Sequence, residues 1–143
     1  MNLSDLGEQI VFNNYEGGVF NISDALIDSG GLQTIYNAKQ GIINIKNSTI
    51  TNSNGSIIDN KGDGIINVDN CKFNAKSNGI VNSGLGTVNI CGGTINGITN
   101  DVSNKENGYV YYNDSNIFEN NSLNDTVNNP SHIILNHDLS CEQ

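Results

Sequence analysis

Large apolar residues recur along the chain at fixed distances from a series of glycines. In five segments an initial glycine is followed by alternating apolar positions, and these glycines stand 23, 23, 22 and 22 residues apart, at Gly18, Gly41, Gly64, Gly86 and Gly108. Nine positions after each glycine comes another large apolar residue: Ile27, Ile50, Phe73, Ile95 and Ile117. Self-similarity at a fixed period of this length predicts a solenoid or a propeller.

A third apolar position completes each repeat. It lies six or seven residues before the next glycine, and Asn or Asp follows two residues later, giving the pairs Ile35/Asn37, Ile57/Asp59, Ile80/Asn82 and Val102/Asn104. The apolar spacing is two in all three segments, as on a strand, and no segment keeps a helical period of about 3.6 across the repeats. The pattern predicts an all-β parallel β-helix with three short strands per 22–23-residue coil.

Alternation along these strands predicts which side chains face the core. Like residues stack on like about 4.8 Å apart in successive coils, so the isoleucines form core columns. The same rule places one polar set inward, Asn37, Asp59, Asn82 and Asn104, and a second set outward, Asn21, Asn44, Asn67 and Asn89. Asparagine suits both the left-handed backbone of tight corners and stacked amide ladders.

The repeat also predicts how a single domain over residues 1–143 is organised. Residues 10–118 form the regular coils, and residues 1–9 form a short N-terminal cap. Residues 119–143 form an irregular last coil and a C-terminal cap, in which 132–136 is a candidate strand. Caps are expected because a solenoid exposes strand edges at both ends.

Composition narrows the classes of partner. The net charge is −9, all 6 basic residues are lysine, and about a fifth of the chain is asparagine. Nucleic acid is not expected as a partner, because phosphate binding draws on clustered Lys and Arg. No stretch is apolar enough for membrane insertion, and the N-terminus lacks the features of a signal peptide. We therefore expect either an internal protein or, preferentially, a part of a longer exported chain.

The motif GIxN…GxxNIxxxxI, with NSTI, NCKF and GGTI in the second strand, carries a family resemblance. It resembles the right-handed, single-stranded parallel β-helix (pectate-lyase-like) repeats of adhesin-like surface proteins from low-GC bacteria and methanogens, over about residues 10–118. The repeats predict about five to six coils. The resemblance implies a cell-surface location, and attachment or display rather than one particular chemistry.

Catalysis is not favoured by the residues present, and no catalytic residue or cofactor is expected. The resemblance implies an arginine base for lyase chemistry, and the chain has no arginine. A glycosidase needs two carboxylates about 5–10 Å apart, and the outward acids Asp63, Asp69 and Asp114 do not form a column. The segment KGDGIINVDN at 61–70 resembles a calcium-binding nonapeptide but occurs once, leaving Asp59, Asp63 and Asp69 as weak calcium candidates.

The cysteines predict neither a disulfide framework nor a zinc site. Cys71 occupies an inward slot, Cys91 faces outward, and Cys141 lies in the tail. A Cys71–Cys91 bond would have to cross the wall of the coil, which disulfide geometry disfavours. The number of cysteines is odd and their spacing is not that of metal ligands, so they indicate neither a set of disulfides nor a zinc site.

Outward tyrosines are the candidate ligand-binding residues. Tyr109 and Tyr111 stand where other coils carry Val, Ile, Thr or Asn, and Tyr36 faces outward from a third strand. Together with the outward amides of Asn67 and Asn89 they would suit stacking on a sugar or packing against a protein. Alternatively, the C-terminal cap folds over Tyr109 and Tyr111.

Three functions follow from these observations. The favoured one is a non-enzymatic, adhesin-like surface module that presents a rigid, acidic, Asn-rich face to a glycan or protein, or acts as a spacer. The alternative is a polysaccharide-active β-helix, such as a phage tailspike-like depolymerase or a carbohydrate lyase fragment, which would make the chain a virion component. A third is an assembly protein that stacks edge to edge. The sequence leaves a monomer or a trimer open.

Overall fold

A computed structural model of the chain describes residues 2–3, 10–127 and 130–141. In chain order the strands are β1 (Asn2–Leu3), β2 (Ile10–Asn14), β3 (Val19–Ser23), β4 (Leu26–Ser29), β5 (Gln33–Asn37), β6 (Ile42–Lys46), β7 (Thr49–Asn52), β8 (Ser56–Asn60), β9 (Ile65–Asp69), β10 (Lys72–Ala75), β11 (Asn78–Asn82), β12 (Thr87–Cys91), β13 (Thr94–Gly97), β14 (Asn100–Asn104), β15 (Tyr109–Tyr112), β16 (Leu123–Asp125) and β17 (Ile133–Leu135). A 3-10 turn at Ser115–Ile117 precedes β16.

The strands form three parallel sheets that are wound into a solenoid of about five turns. Sheet A stacks β1, β4, β7, β10 and β13; sheet B stacks β2, β5, β8, β11, β14 and β16; sheet C stacks β3, β6, β9, β12, β15 and β17. Each coil runs from sheet C through sheet A to sheet B, and then begins the next coil in sheet C. The predicted all-β solenoid with three short strands per coil is confirmed. The described part of the chain holds no helix long and apolar enough to cross a membrane.

Stacked side chains fill the core in the predicted register. Ile43 pairs with Ile66, and Ile45 pairs with Val68; the three isoleucines are fully buried and the valine is almost so. The recurring +2 position therefore forms a continuous inward column: Phe20, Ile43, Ile66, Val88, Val110 and Ile133. Burial of such columns is the main favourable contribution to the fold.

Close stacking at the corner between sheets B and C explains why glycine recurs. A Cβ atom added to Gly64 would lie 2.6 Å from the side-chain nitrogen of Asn37 and closer still to the carbonyl oxygen of Gly41. The same conflict returns at Gly86, whose added Cβ would meet Asn60 and the carbonyl of Gly64. The glycine column exists because one coil's backbone lies directly on the next, which leaves no room for a side chain.

Asparagine supplies the left-handed residues at the corner between sheets C and A. Asp24, Asn47 and Asn70 occupy equivalent positions with φ of 53°, 49° and 53°, and Gly92 follows at 63°. Asn and Asp adopt this conformation more readily than other side-chain-bearing residues. The predicted corner role of asparagine is confirmed.

Behind the glycine column runs a buried row of amides, which we call the inner ladder: Asn14, Asn37, Asn60, Asn82 and Asn104, ending at Asp125. Each asparagine Nδ2 donates to the side-chain Oδ1 of the next coil, at 2.9–3.0 Å between asparagines and at 3.3 Å for Asn104 to Asp125. Each Nδ2 also donates to the carbonyl of the glycine four residues later, at 2.7–3.1 Å.

The inner ladder shows that one residue predicted to face inward, Asp59, was assigned wrongly. Ile35 pairs with Ile58 and Asn37 with Asn60, so Asp59 is not the inward residue of its coil. Asp59 instead faces outward beside Tyr36. Because Ile57 and Ile58 are both apolar, alternation alone allowed two registers one residue apart. The amide must lie four residues before Gly64 to reach its carbonyl, and that requirement selects Asn60.

The C-terminal end is closed by strands and by a disulfide bond. β16 and β17 add to sheets B and C, and Phe118 bridges to Ile95 in sheet A. At the other end β1 pairs with β4, whereas Met1 and residues 4–9 of the predicted N-terminal cap lie outside the described residues. The division into caps and regular coils stays a prediction.

A disulfide between Cys91 and Cys141 contradicts the prediction that the cysteines form no such bond. The outward position of Cys91 was predicted, but the path that brings the tail back to it was not. Cys71 is a free thiol buried in the core, as expected. Burial raises the pKa of that thiol to about 11.

Candidate binding faces on sheets B and C

The outward side of sheet C carries a second row of amides, which we call the outer ladder: Asn21, Asn44, Asn67 and Asn89. The Nδ2 of each later residue donates to the Oδ1 of the residue one coil earlier, and all three bonds measure 2.9 Å. The predicted outward orientation is confirmed. Asn67 and Asn89, two of the predicted ligand residues, are neighbours in this row.

Tyr111 continues the outer ladder beyond Asn89, and Tyr109 lies beside Thr87 in the adjacent column. The two tyrosine rings are nearly parallel, with centroids 5.8 Å apart and planes 7° apart. His132 stacks on Tyr109 with centroids 3.9 Å apart, and its Nδ1 lies 3.0 Å from the carbonyl oxygen of Gly108. Three aromatic rings therefore gather at the C-terminal end of this face.

The sequence analysis did not identify His132 as a neighbour of Tyr109, although the register of the repeat indicates it. HIILN at 132–136 matches YVYYN at 109–113 in register, because Ile133 pairs with Val110 and so places His132 over Tyr109. The expectation that the cap folds over both tyrosines is met only in part. His132 covers one face of Tyr109, which keeps 37% of its surface exposed, and Tyr111 is half-buried.

An apolar strip runs beside the outer ladder on the same face of sheet C. Its members are Val19, Ile42, Ile65, Thr87 and Tyr109. Val19, Ile65 and Tyr109 are exposed large hydrophobic residues. The face thus joins a row of ordered amides to a row of apolar side chains, and both rows end in the aromatic stack.

Tyr36 belongs to a different surface from the other two tyrosines. It lies on the outward side of sheet B, paired with Asp59. Burial chiefly, and then the negative charge of Asp59, raise the pKa of Tyr36. The structure therefore divides the five predicted ligand residues between two sheets, with Tyr36 alone on sheet B.

The calcium candidates are not brought together. Asp59 faces outward from β8 in sheet B, Asp63 lies in the corner that follows, and Asp69 ends β9 in sheet C. Among the described residues, no three side chains of His, Cys, Asp or Glu gather as metal ligands. The outward acids Asp63, Asp69 and Asp114 also belong to separate elements.

Compared with models of protein families, with curated proteins and with solved structures, the chain matches none.

Proposed function

We propose that the chain is a non-enzymatic display module that contacts a glycan or a protein through the outward face of sheet C. The outer ladder, with the Tyr109–Tyr111–His132 stack at its end, is the observation that carries this proposal. It is an ordered surface whose amides stand in a straight row beside exposed apolar side chains.

The ladder suits recognition because each amide keeps bonding capacity. An asparagine side chain has two N–H donors and two acceptor lone pairs, and the ladder uses one of each in Asn44 and Asn67. The remaining capacity of half-buried Asn44 can serve sugar hydroxyls or the polar backbone of a partner, whereas Asn67 is only 7% exposed and serves chiefly to order the row. Since the buried core and the inner ladder hold the face in place, a partner meets a surface that loses little freedom on binding.

The Cys91–Cys141 disulfide supports an extracellular location for this module. Structural disulfides persist in oxidising compartments and are rare in the cytosol. This agrees with the expectation that the chain belongs to an exported protein, and it applies to a cell-surface module or a spacer alike.

A glycan array together with a pull-down of surface proteins tests the proposal. Tyr111→Ala should abolish binding of the captured partner, whereas Tyr15→Ala, at an exposed tyrosine in the corner after β2 and outside the outer ladder and the aromatic stack, should leave binding unchanged. Equal loss in both variants, or capture of no glycan and no protein, would contradict the binding role and leave the spacer. Release of reducing ends from acidic polysaccharides, with a trimer in light scattering, would instead favour the polysaccharide-active alternative.

A further inference from the structure

The outward side of sheet B forms a trough along the solenoid. Its floor is the column Tyr36, Asp59, Val81 and Ser103. Val81 and Ser103 are only 6% and 2% exposed, although Val81 does not belong to the hydrophobic core cluster. An outward residue can be this buried only if its surroundings rise above it, so the floor is recessed.

The walls of the trough come from the two corners that flank sheet B. Leu32, Asn54 and Ser77 lie on the side of sheet A, and Lys105 lies on the side of sheet C. The space between these walls measures about 230 Å³. Sites for drug-sized ligands usually measure about 300–1,000 Å³, so this space suits a smaller molecule.

Asp59 is held in the floor by residues from the coils on either side. Gln33 Nε2 donates to its Oδ2 at 3.3 Å, and Ser83 Oγ donates to its Oδ1 at 2.7 Å. Asp59 forms no ion pair within the described part of the chain. A carboxylate has about four acceptor positions, so each oxygen keeps capacity for another donor. The carboxylate is therefore both fixed and able to bind.

The chemistry of the lining selects the kind of ligand. Asp59 offers acceptors, Lys105 offers donors, and Asn54 offers both. One negative and one positive side chain balance each other, which favours neither an anion nor a cation. Leu32, an exposed apolar residue of the same lining, provides an apolar surface. A small, neutral molecule rich in hydroxyl groups satisfies all of these features.

We propose that this trough binds one neutral sugar unit, with two adjacent hydroxyls donating to Asp59 and the apolar side of the sugar ring against Leu32. The site lies on another sheet from the outer ladder, so it goes beyond the display function proposed for sheet C. Asp59, which the sequence repeat wrongly predicted to face the core, is the central polar group of this site.

A ¹⁵N NMR titration of the folded chain tests the proposal, using methyl β-D-glucopyranoside and methyl α-D-mannopyranoside as probes. We expect at least one of them to shift the side-chain amide signals of Gln33 and Asn54, and to leave those of Asn67 and Asn89 unchanged. Asp59→Asn should weaken binding at least about tenfold, because it replaces a charged acceptor with a weaker one.

Asp69→Asn provides the matched control, since it makes the same change of charge at an outward aspartate of sheet C. It should leave the affinity unchanged, and thermal unfolding should show that both variants are folded. The proposal is overturned if neither sugar shifts the sheet B amides, if the two variants lose affinity equally, or if galacturonic acid binds more tightly than the neutral probes. Because the reporters of sheets B and C are separate, failure here is distinguishable from failure of the display function.

Discussion

The inner and outer ladders are built from the same residue at the same spacing, but their surroundings differ. Both have amide–amide distances near 2.9–3.0 Å. The inner asparagines from Asn37 to Asn104 are fully buried. In the outer row Asn21 is exposed, Asn44 and Asn89 are half-buried, and Asn67 alone is buried, with 7% of its surface exposed. A buried group that loses its partner bears the full desolvation cost, and an exposed one can bond to water. Equal geometry therefore does not mean equal contribution to stability.

The ladders also run in opposite directions for a physical reason. In the inner ladder each Nδ2 must reach a glycine carbonyl in its own corner, so the amide donates toward the C-terminal coil. Among the described residues, Asn44 and Asn67 make no second bond of this kind, and their Nδ2 atoms donate toward the N-terminal coil. The inner amides are thus constrained twice and the outer amides once.

Breaking the inner ladder should have the largest effect. Asn60→Ala removes the partner of Asn37 Nδ2, Asn82 Oδ1 and the Gly64 carbonyl, all in a buried corner. We expect a loss of about 3–5 kcal/mol in the free energy of unfolding, measured with urea. Asp59→Ala is the adjacent control and should cost less than about 1 kcal/mol, because Asp59 faces outward. A loss for Asp59→Ala larger than that for Asn60→Ala would mean that the register described for this coil is wrong.

Adding a methyl group beside the inner ladder should have the next largest effect. Gly64→Ala pushes a Cβ into the Gly41 carbonyl and the Asn37 amide, and we expect a loss of about 2–3 kcal/mol in the same assay. Gly92→Asn is the control, because an added Cβ meets nothing within 4 Å there and Asn70 already occupies the equivalent left-handed position. If both substitutions cost the same, conformational freedom rather than close stacking explains the glycine column.

Protonating the end of the inner ladder should have a smaller effect. Burial tends to raise the pKa of Asp125, but hydrogen bonds from the Ser131 side chain, the His132 backbone, Asn104 and the Val127 backbone lower it below 3.8 overall. A lowered pKa contributes stability above the unfolded value, and that contribution is lost as pH falls through the folded value. Thermal unfolding between pH 5 and about 2 should therefore show a decrease that Asp125→Asn reduces. An unchanged pH dependence in the variant would exclude this role for Asp125.

Breaking the outer ladder should have the smallest effect. Asn44→Ala removes one bond on each side, to Asn21 and to Asn67. Water can replace the bond at exposed Asn21, so that only the Nδ2 of buried Asn67 loses a partner. We expect a loss of about 1 kcal/mol in urea unfolding. A loss as large as that of Asn60→Ala would show that burial does not distinguish the two ladders.

Much of this fold could be predicted because its constraints are local and repeated. The alternation within GIINI fixes which side chains face inward, and the glycine spacing fixes the coil length. The outer ladder and the left-handed asparagines follow from the same spacing. The position of Asn60 required the hydrogen bond to Gly64, since adjacent isoleucines made two registers equally apolar.

Less of the two candidate surfaces could be predicted from the sequence. The placement of Tyr109, Tyr111 and Asn89 on one face could be predicted because they share one sheet with a regular repeat. His132 and Cys141 lie in the irregular tail, where the period is lost and no fixed spacing indicates their partners. The trough on sheet B depends on how far two corners project above the sheet, which alternation does not describe.

The sequence by itself determined the coil length, the three-strand coil and the inward apolar columns, because a period of two within a period of 22–23 residues allows few other arrangements. Only the tertiary structure decided which residues from distant positions meet: Cys91 with Cys141, His132 with Tyr109, and Gln33 with Asp59. The physical reason is that a strand fixes the side to which a residue points, whereas the neighbour it meets depends on the path of corners and tail.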